Sequence, residues 1–210
     1  MTKIPAILII GTADTKADEI LFMKQCLLDQ DADALIMDVG VLGDPPFDVD
    51  ITKHQVAAAV GMSNHEIAAL GDENDAMIKT AAAATLICLQ MLNDGKIDGV
   101  VILGGTMGTD LALEVTSALP LGVPKVVVST VSFSPILPPD RLAPDLMMIL
   151  WAGGLYGLNS ICKSSLSQAC GAVLGAVKAV VKPDDSRPII AMSSLGKAAL
   201  RYMVFLKPEL

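Results

Sequence analysis

Ile102-Leu103-Gly104-Gly105-Thr106-Met107-Gly108-Thr109-Asp110 joins an apolar run, residues 100–103, to a Gly-rich turn that opens a helix. Such a turn presents free backbone N–H groups at the positive end of a helix dipole, which together make an anion site. The N-terminus repeats the idea: residues 7–10 read as a strand, and Gly11-Thr12-Ala13-Asp14-Thr15-Lys16 turns into a helix expected to begin near Thr15. Neither loop is a strict fingerprint, since Walker A loops end in Gly-Lys-Ser/Thr and dinucleotide loops read Gly-x-Gly-x-x-Gly. The local alternative is that Gly104, Gly105 and Gly108 only permit a tight turn, and that Thr15 with Asp18 forms a capping box. Two such loops say more than one, because turns at the carboxyl ends of parallel strands converge on one crevice.

Short β-branched runs alternate with helix-period segments, which predicts an α/β fold, a parallel sheet with helices on both faces. The expected strands are residues 4–10, 34–38, 99–103, 125–129 and 189–193. Apolar stripes at helical spacing are Ile20, Met23 and Leu27, then Met77, Ala81, Ala84, Cys88 and Met91, then Leu111, Val115 and Ala118, with Pro120 as a stop. A long helix is expected over 155–181, with Gly171 and Gly175 allowing close helix contact within the domain or across a dimer. Two irregular segments, 39–72 with a short helix near 53–60 and 130–145, are long enough to cover the crevice. After a turn-rich linker at Lys182-Pro183-Asp184-Asp185, residues 187–210 read as one strand and one helix. The expected organisation is a nucleotide-binding unit over 1–182 and the start of a second α/β subdomain over 187–210. Those last residues either complete the first sheet or mark the front part of a longer protein.

With 210 residues, 52% of them apolar and 18% charged, the chain can bury a sizeable core. Eleven methionines, few aromatics and a mean hydropathy of +0.57 leave apolar surface for a second subunit, so a homodimer is expected. The net charge of −8, without a Lys/Arg cluster, excludes nucleic-acid or acidic-membrane binding through a basic face. It does not exclude a nucleotide, which backbone N–H groups and one or two lysines can hold. Cys26, Cys88, Cys162 and Cys170 form no Cys-x-x-Cys pair and read as buried thiols of a reducing compartment. The N-terminal run lacks a signal-peptide cleavage pattern, and the apolar stretch over 146–158 is too short to span a bilayer. The expected location is the cytoplasm.

Candidate ligand contacts follow from the loops. In the first, Gly11, Thr12, Thr15 and Lys16 approach phosphate, and Asp14 holds Mg²⁺ or a ribose hydroxyl, or is a solvated aspartate at a helix start. Asp38, 27 positions after Gly11, ends a strand where dinucleotide folds place a ribose-binding carboxylate; as a turn aspartate it would simply precede Gly40. Thr106 and Thr109 donate to phosphate or cap the helix that follows Gly105 and Gly108. Ser129 and Thr130 reach the same edge as hydroxyl contacts, and Asn159 and Lys163, one helical turn apart, reach over it or lie on an ordinary exposed face.

These loops, with Asp38-Val39-Gly40, Asp98-Gly99-Val100, Leu119-Pro120-Leu121-Gly122-Val123-Pro124-Lys125, Ser129-Thr130-Val131 and Gly157-Leu158-Asn159-Ser160, occur in an order that resembles one family. That family comprises bacterial proteins of unknown function and the ATP-binding N-terminal region of the tomato inhibitor of tomato mosaic virus RNA replication. The resemblance covers roughly residues 4–195 and implies a Rossmann-like fold that binds ATP, forms dimers and continues into a second α/β subdomain. The chain departs from the family's common Gly-Gly-Ser-Gly-Gly-Thr at Thr106 and Met107, and from its Ser-Thr-Val-Ala-Ser-Gly-Asp at Ser132-Phe133-Ser134-Pro135. The expected function is therefore ATP binding, with Mg²⁺. The alternatives are a non-catalytic module that binds a protein partner with ATP as structural effector, and an enzyme acting on a small anionic metabolite.

Overall fold

The structure, a computed structural model, describes residues 3–151, 157–181, 186 and 197–209. Strands β1 (Ala6–Gly11), β2 (Asp33–Asp38), β3 (Gly99–Gly104), β4 (Lys125–Ser129) and β5 (Met147–Leu150) form one sheet in the order β2-β1-β3-β4-β5, parallel throughout. Helices α1 (Ala17–Leu28), α2 (Lys53–Ala58), α3 (Asn64–Ala68), α4 (Glu73–Asn93), α5 (Thr106–Ala118), α6 (Ser160–Ala179) and α7 (Ala198–Leu206) complete the described elements, with two short 3₁₀ turns at Pro139–Arg141 and Lys207–Glu209. This is the Rossmann-like α/β arrangement expected from the alternating pattern.

The strands are apolar along their whole length because both faces are covered. Ile7 and Ile9 point to one face, where Ile20, Met23 and Leu27 of α1 and Leu166, Cys170 and Val173 of α6 close over them. Leu8 and Ile10 point to the other, against Met77, Ala81, Ala84, Cys88 and Met91 of α4 and Leu111 and Val115 of α5. Each buried Leu, Ile or Met contributes about 1.5–3 kcal/mol relative to exposure. The helix stripes fall where the spacing placed them, except that the third runs on to buried Leu119 while Ala118 is exposed. By length and composition α4 could cross a membrane, and its apolar stripe packs on the sheet. Burial pushes the Cys88 and Cys170 thiols up to about 12, which makes both poor nucleophiles.

Several elements differ from expectation. The apolar stretch after residue 145 contains strand β5, which extends the sheet beyond β4. Helix α6 starts at Ser160, where Asn159 Oδ1 accepts from the Ile161 and Cys162 amides, rather than at residue 155. The segment between β2 and α4 holds, besides the short helix expected near 53–60, a second one, α3; each is opened by a capping box, Thr52 with Gln55 and Ser63 with Glu66. The strand expected over 189–193 lies outside the described residues. Helix α7 leaves Tyr202, Val204 and Phe205 more than two-thirds exposed.

The start of β4 carries an unusual core group. Lys125 is 1% exposed, and its Nζ donates to the Asp145 carboxylate at 2.7 Å and to the Pro120 carbonyl at 3.1 Å. Burial raises the Asp145 carboxyl, but the Lys125 ammonium and the Gly122 N–H outweigh it and hold the group below its ordinary range. A carboxylate whose folded pKa is depressed stabilises above its unfolded pKa, near 3.9, and that contribution is lost as pH falls through the folded value. Asp145→Asn should lower stability at pH 7 by about 3 kcal/mol, because it leaves a buried ammonium without its counter-charge. Urea unfolding of both proteins checks this, and the gap between them should narrow below about pH 4.

Candidate functional site

In the order β2-β1-β3-β4-β5 the chain reverses direction across the sheet between β1 and β3, and open parallel sheets bind ligands at the carboxyl edge of that reversal. Register brings Gly11 level with Asp38 and Gly104 level with Ser129, so the loops after these four strands start from one edge. There the structure has a two-lobed cleft. A lobe of about 430 Å³ lies under the segment after β2 and the start of α4, and a second of about 330 Å³ lies at the start of α5. Thr12, Thr15, Val39, Met107, Gly108 and Leu111 line both.

The smaller lobe is built by backbone packing. A Cβ on Gly104 would lie 2.5 Å from the Gly108 carbonyl carbon and 2.7 Å from its Cα, so only glycine lets β3 turn so tightly into α5. The N-cap of α5 is Gly105; no side chain caps this helix and its first turn holds no acidic residue. The first amide after the cap with a helical acceptor is that of Thr109, to Gly105 O at 2.8 Å. A first turn leaves such donors for water or a ligand. In α2, α3, α4 and α6, by contrast, a side chain accepts from the first turn. A Cβ on Gly105 would meet only Thr130 Oγ1 at 4.0 Å, and one on Gly108 only Leu103 O at 3.8 Å. The fold therefore does not require glycine at those two positions for space.

The loop after β1 turns three of its amides inward. The Thr15 and Lys16 amides donate to Thr12 O at 3.2 and 2.9 Å, and the Ala13 amide donates to Asp38 Oδ1 at 3.0 Å. What this loop offers the cleft is side chains: the paired hydroxyls of Thr12 and Thr15, 2.7 Å apart, the Asp14 carboxylate, and Lys16. Nor does Thr15 cap α1 with Asp18, since the N-cap is Lys16 and no side chain bonds there. Lys16 lines the smaller lobe with its Nζ 5.3 Å from the Trp151 ring centroid, a cation–π distance. Asp14 lines the larger lobe; Oδ1 accepts from the Thr15 amide at 2.8 Å, and the carboxylate fills the space where Gly43 would carry a Cβ.

Other expected contacts lie elsewhere. Asp38 is fully buried beneath the loop, where Oδ1 accepts from the Ala13 and Gly40 amides, while Oδ2 has no partner among the described residues. It ties two loops together rather than lining the cleft, although Gly40 does line it. Ser129 and Thr109 are also fully buried. Thr109 donates to Gly105 O at 2.7 Å, the two hydroxyls meet at 2.6 Å, and Ser129 Oγ accepts from the Val131 amide. These bonds fasten the start of α5 to β4. Thr130 is exposed beside Gly105. Asn159 caps α6, Lys163 Nζ lies 5.9 Å from the Phe22 ring, and neither lines a lobe.

Of the two irregular segments, 39–72 walls the larger lobe through Val41, Leu42 and Ala68, with Asp72, Glu73 and Met77 beside them. The segment 130–145 does not cover the cleft. Arg141 bonds Asp110 and Glu114 of α5 and holds it against that helix, and Phe133, Leu137 and Leu142 line a separate cavity of about 370 Å³. Sequence reading expected both segments as covers, and did not say which side chains of the first face the cleft.

If Asp38 is the tie between the loops, Asp38→Ala leaves two buried amides without an acceptor and should cost about 2–4 kcal/mol. Asp38→Asn keeps one acceptor oxygen and should lose less. Denaturant unfolding of the two variants measures the difference.

The model of the uncharacterised protein family UPF0261, N-terminal domain, matches residues 5–182. A UPF0261 protein of Brucella suis biovar 1 is 54% identical over 209 residues, which cover 100% of this chain and 50% of the relative. One from Clostridium tetani is 30% identical over 191 residues, covering 90% and 47%. The ToMV resistance protein Tm-1 of Solanum lycopersicum is 28% identical over 189 residues, covering 82% of this chain and 25% of its own length. The chain thus spans about half the length of these bacterial relatives. With most of its length matched, it belongs to the UPF0261 family and carries that family's N-terminal domain.

Proposed function

We propose that the cleft binds a phosphate-bearing nucleotide, ATP with Mg²⁺, with its phosphates in the smaller lobe. The observation that carries this reading is the uncapped first turn of α5, opening into a lobe lined by Thr12, Thr15 and Lys16 at the topological reversal of the sheet. Among phosphate-bearing ligands, ATP is favoured by the resemblance of the loops to a family with an ATP-binding member. Mg²⁺ is held by one or two carboxylates together with phosphate oxygens and water, and Asp14 beside the two threonine hydroxyls fits that need. Lys16 supplies charge to the phosphates, its ammonium held over Trp151. The reading sets the protein in the cytoplasm, where nucleotide is abundant.

A homodimer is a second proposal. A Cβ on Gly171 or Gly175 of α6 would meet nothing within 4 Å among the described residues, so this face is open to a second α6. Light scattering at micromolar concentration should give twice the chain mass, and a clean monomer mass defeats the proposal.

For the nucleotide, a thermal-shift screen with Mg²⁺ should single out ATP, adding about 2.7 kcal/mol of stability at 100 times its Kd. Gly105→Val and Gly108→Val should each weaken ATP about tenfold or more, by blocking close approach of phosphate to the backbone. Circular dichroism should be unchanged, since the fold has room at both positions. Unchanged affinity in both variants would remove the phosphate site from α5.

A further inference from the structure

The larger lobe differs in chemistry from the smaller one. Val39, Val41, Leu42, Ala76, Met77 and Leu111 give it apolar walls. The charged groups on it are the carboxylates of Asp14, Asp72 and Glu73, and among the described residues no Lys, Arg or His lines it. An anionic group is repelled there unless a cation screens it, and a flat uncharged group with N–H donors is matched on its faces by the apolar walls and at its edge by the Asp72 and Glu73 carboxylates, Asp14 being the carboxylate left for the metal. The lobe adjoins the proposed phosphate lobe, with Thr12, Thr15 and Gly108 in the walls of both. We infer that the larger lobe is the subsite for the heteroaromatic base of the nucleotide, an inference that rests on the phosphate reading above.

The same geometry identifies positioning residues. The outer wall is the segment carrying Val41 and Leu42, and Leu42 is 85% exposed, a leucine held out over the lobe. Two polar groups hold that segment from beneath. Lys53, with a side chain 6% exposed, donates from Nζ to Gly43 O at 2.7 Å and Leu42 O at 3.3 Å and pairs with Asp44 at 2.7 Å. Asn64 Nδ2 donates to Val41 O at 2.8 Å. Lys53 and Asn64 therefore set the width of the base subsite without touching the ligand.

Isothermal titration of the full chain with ATP and with tripolyphosphate, both with Mg²⁺, separates the lobes, because tripolyphosphate has no base. The wild type should bind ATP about tenfold or more tightly than tripolyphosphate. Ala76→Phe, which fills the larger lobe from half-buried Ala76, should lower ATP affinity about tenfold and leave tripolyphosphate within about twofold. Lys53→Met should shift ATP in the same direction with tripolyphosphate unmoved, a difference that general destabilisation would not produce. Equal affinities for the two probes in the wild type overturn the base subsite and leave the phosphate reading standing. The base subsite is equally overturned if both variants weaken the two probes alike or change neither. Failure of the wild type to bind either probe overturns both readings.

Discussion

The Asp38 carboxylate lies at the end of β2 with one oxygen shared between the amides of Ala13 and Gly40. A buried polar group of this kind is tolerated where donors compensate it. Here the donors come from the loops that follow two neighbouring strands. Holding Ala13 places Thr12, Asp14 and Thr15 at the cleft; holding Gly40 sends the chain through the wall formed by Val41 and Leu42 and then across Asp14 at Gly43. On the far side of the reversal, the backbone of Gly104 against Gly108 fixes where α5 begins. The cleft is the gap between these two constraints, and each is made by the main chain or by a side chain that does not line it.

The central strands were legible because burial on both faces writes itself as an unbroken apolar run, as at Ile7-Leu8-Ile9-Ile10 and Val126-Val127-Val128. Strand β5 was not. Met147, Met148, Ile149 and Leu150 lie in an apolar stretch where Met and Leu suit helix and strand alike and the one β-branched residue, Ile149, does not decide; pairing with β4 does. The start of α6 was legible in principle, since Asn159 is a good N-cap, but the apolar residues before it extended the helical pattern backwards. The capping boxes at Thr52 and Ser63 were likewise in view; the helix after the first was expected near 53–60, while the five-residue helix after the second is too short for periodicity to reveal.

In the site, the α5 loop was legible as a Gly-rich helix start, but its residues alone do not decide whether Thr106 or Thr109 caps that helix, and the structure has no side-chain cap there. The loop after β1 shares glycine and threonine with it but has a different hydrogen-bond arrangement. Whether its amides are free depends on how Thr12 O folds over Lys16 and on a carboxylate 25 residues away, and neither is a local property. Ser129 and Thr109 misled for a related reason: hydroxyls at a strand end look available until the neighbouring strand and helix bring them against each other. Asn159 took the commoner role of its residue type.

The pairing of β1 has a consequence for how the chain reaches this state. Its neighbours are β2, which begins at Asp33, and β3, where Ile7 meets Gly99. One side of the most apolar strand is therefore closed by a segment some ninety residues downstream, a contact that carries a large loop-closure cost and slows folding. On a ribosome, β1, α1 and β2 emerge first, and the β3 side of residues 7–10 stays unpaired until residues 99–102 follow. The centre of the finished sheet is thus, during synthesis, a temporary edge, and the long excursion with its two small capped helices lengthens the interval in which that edge is open.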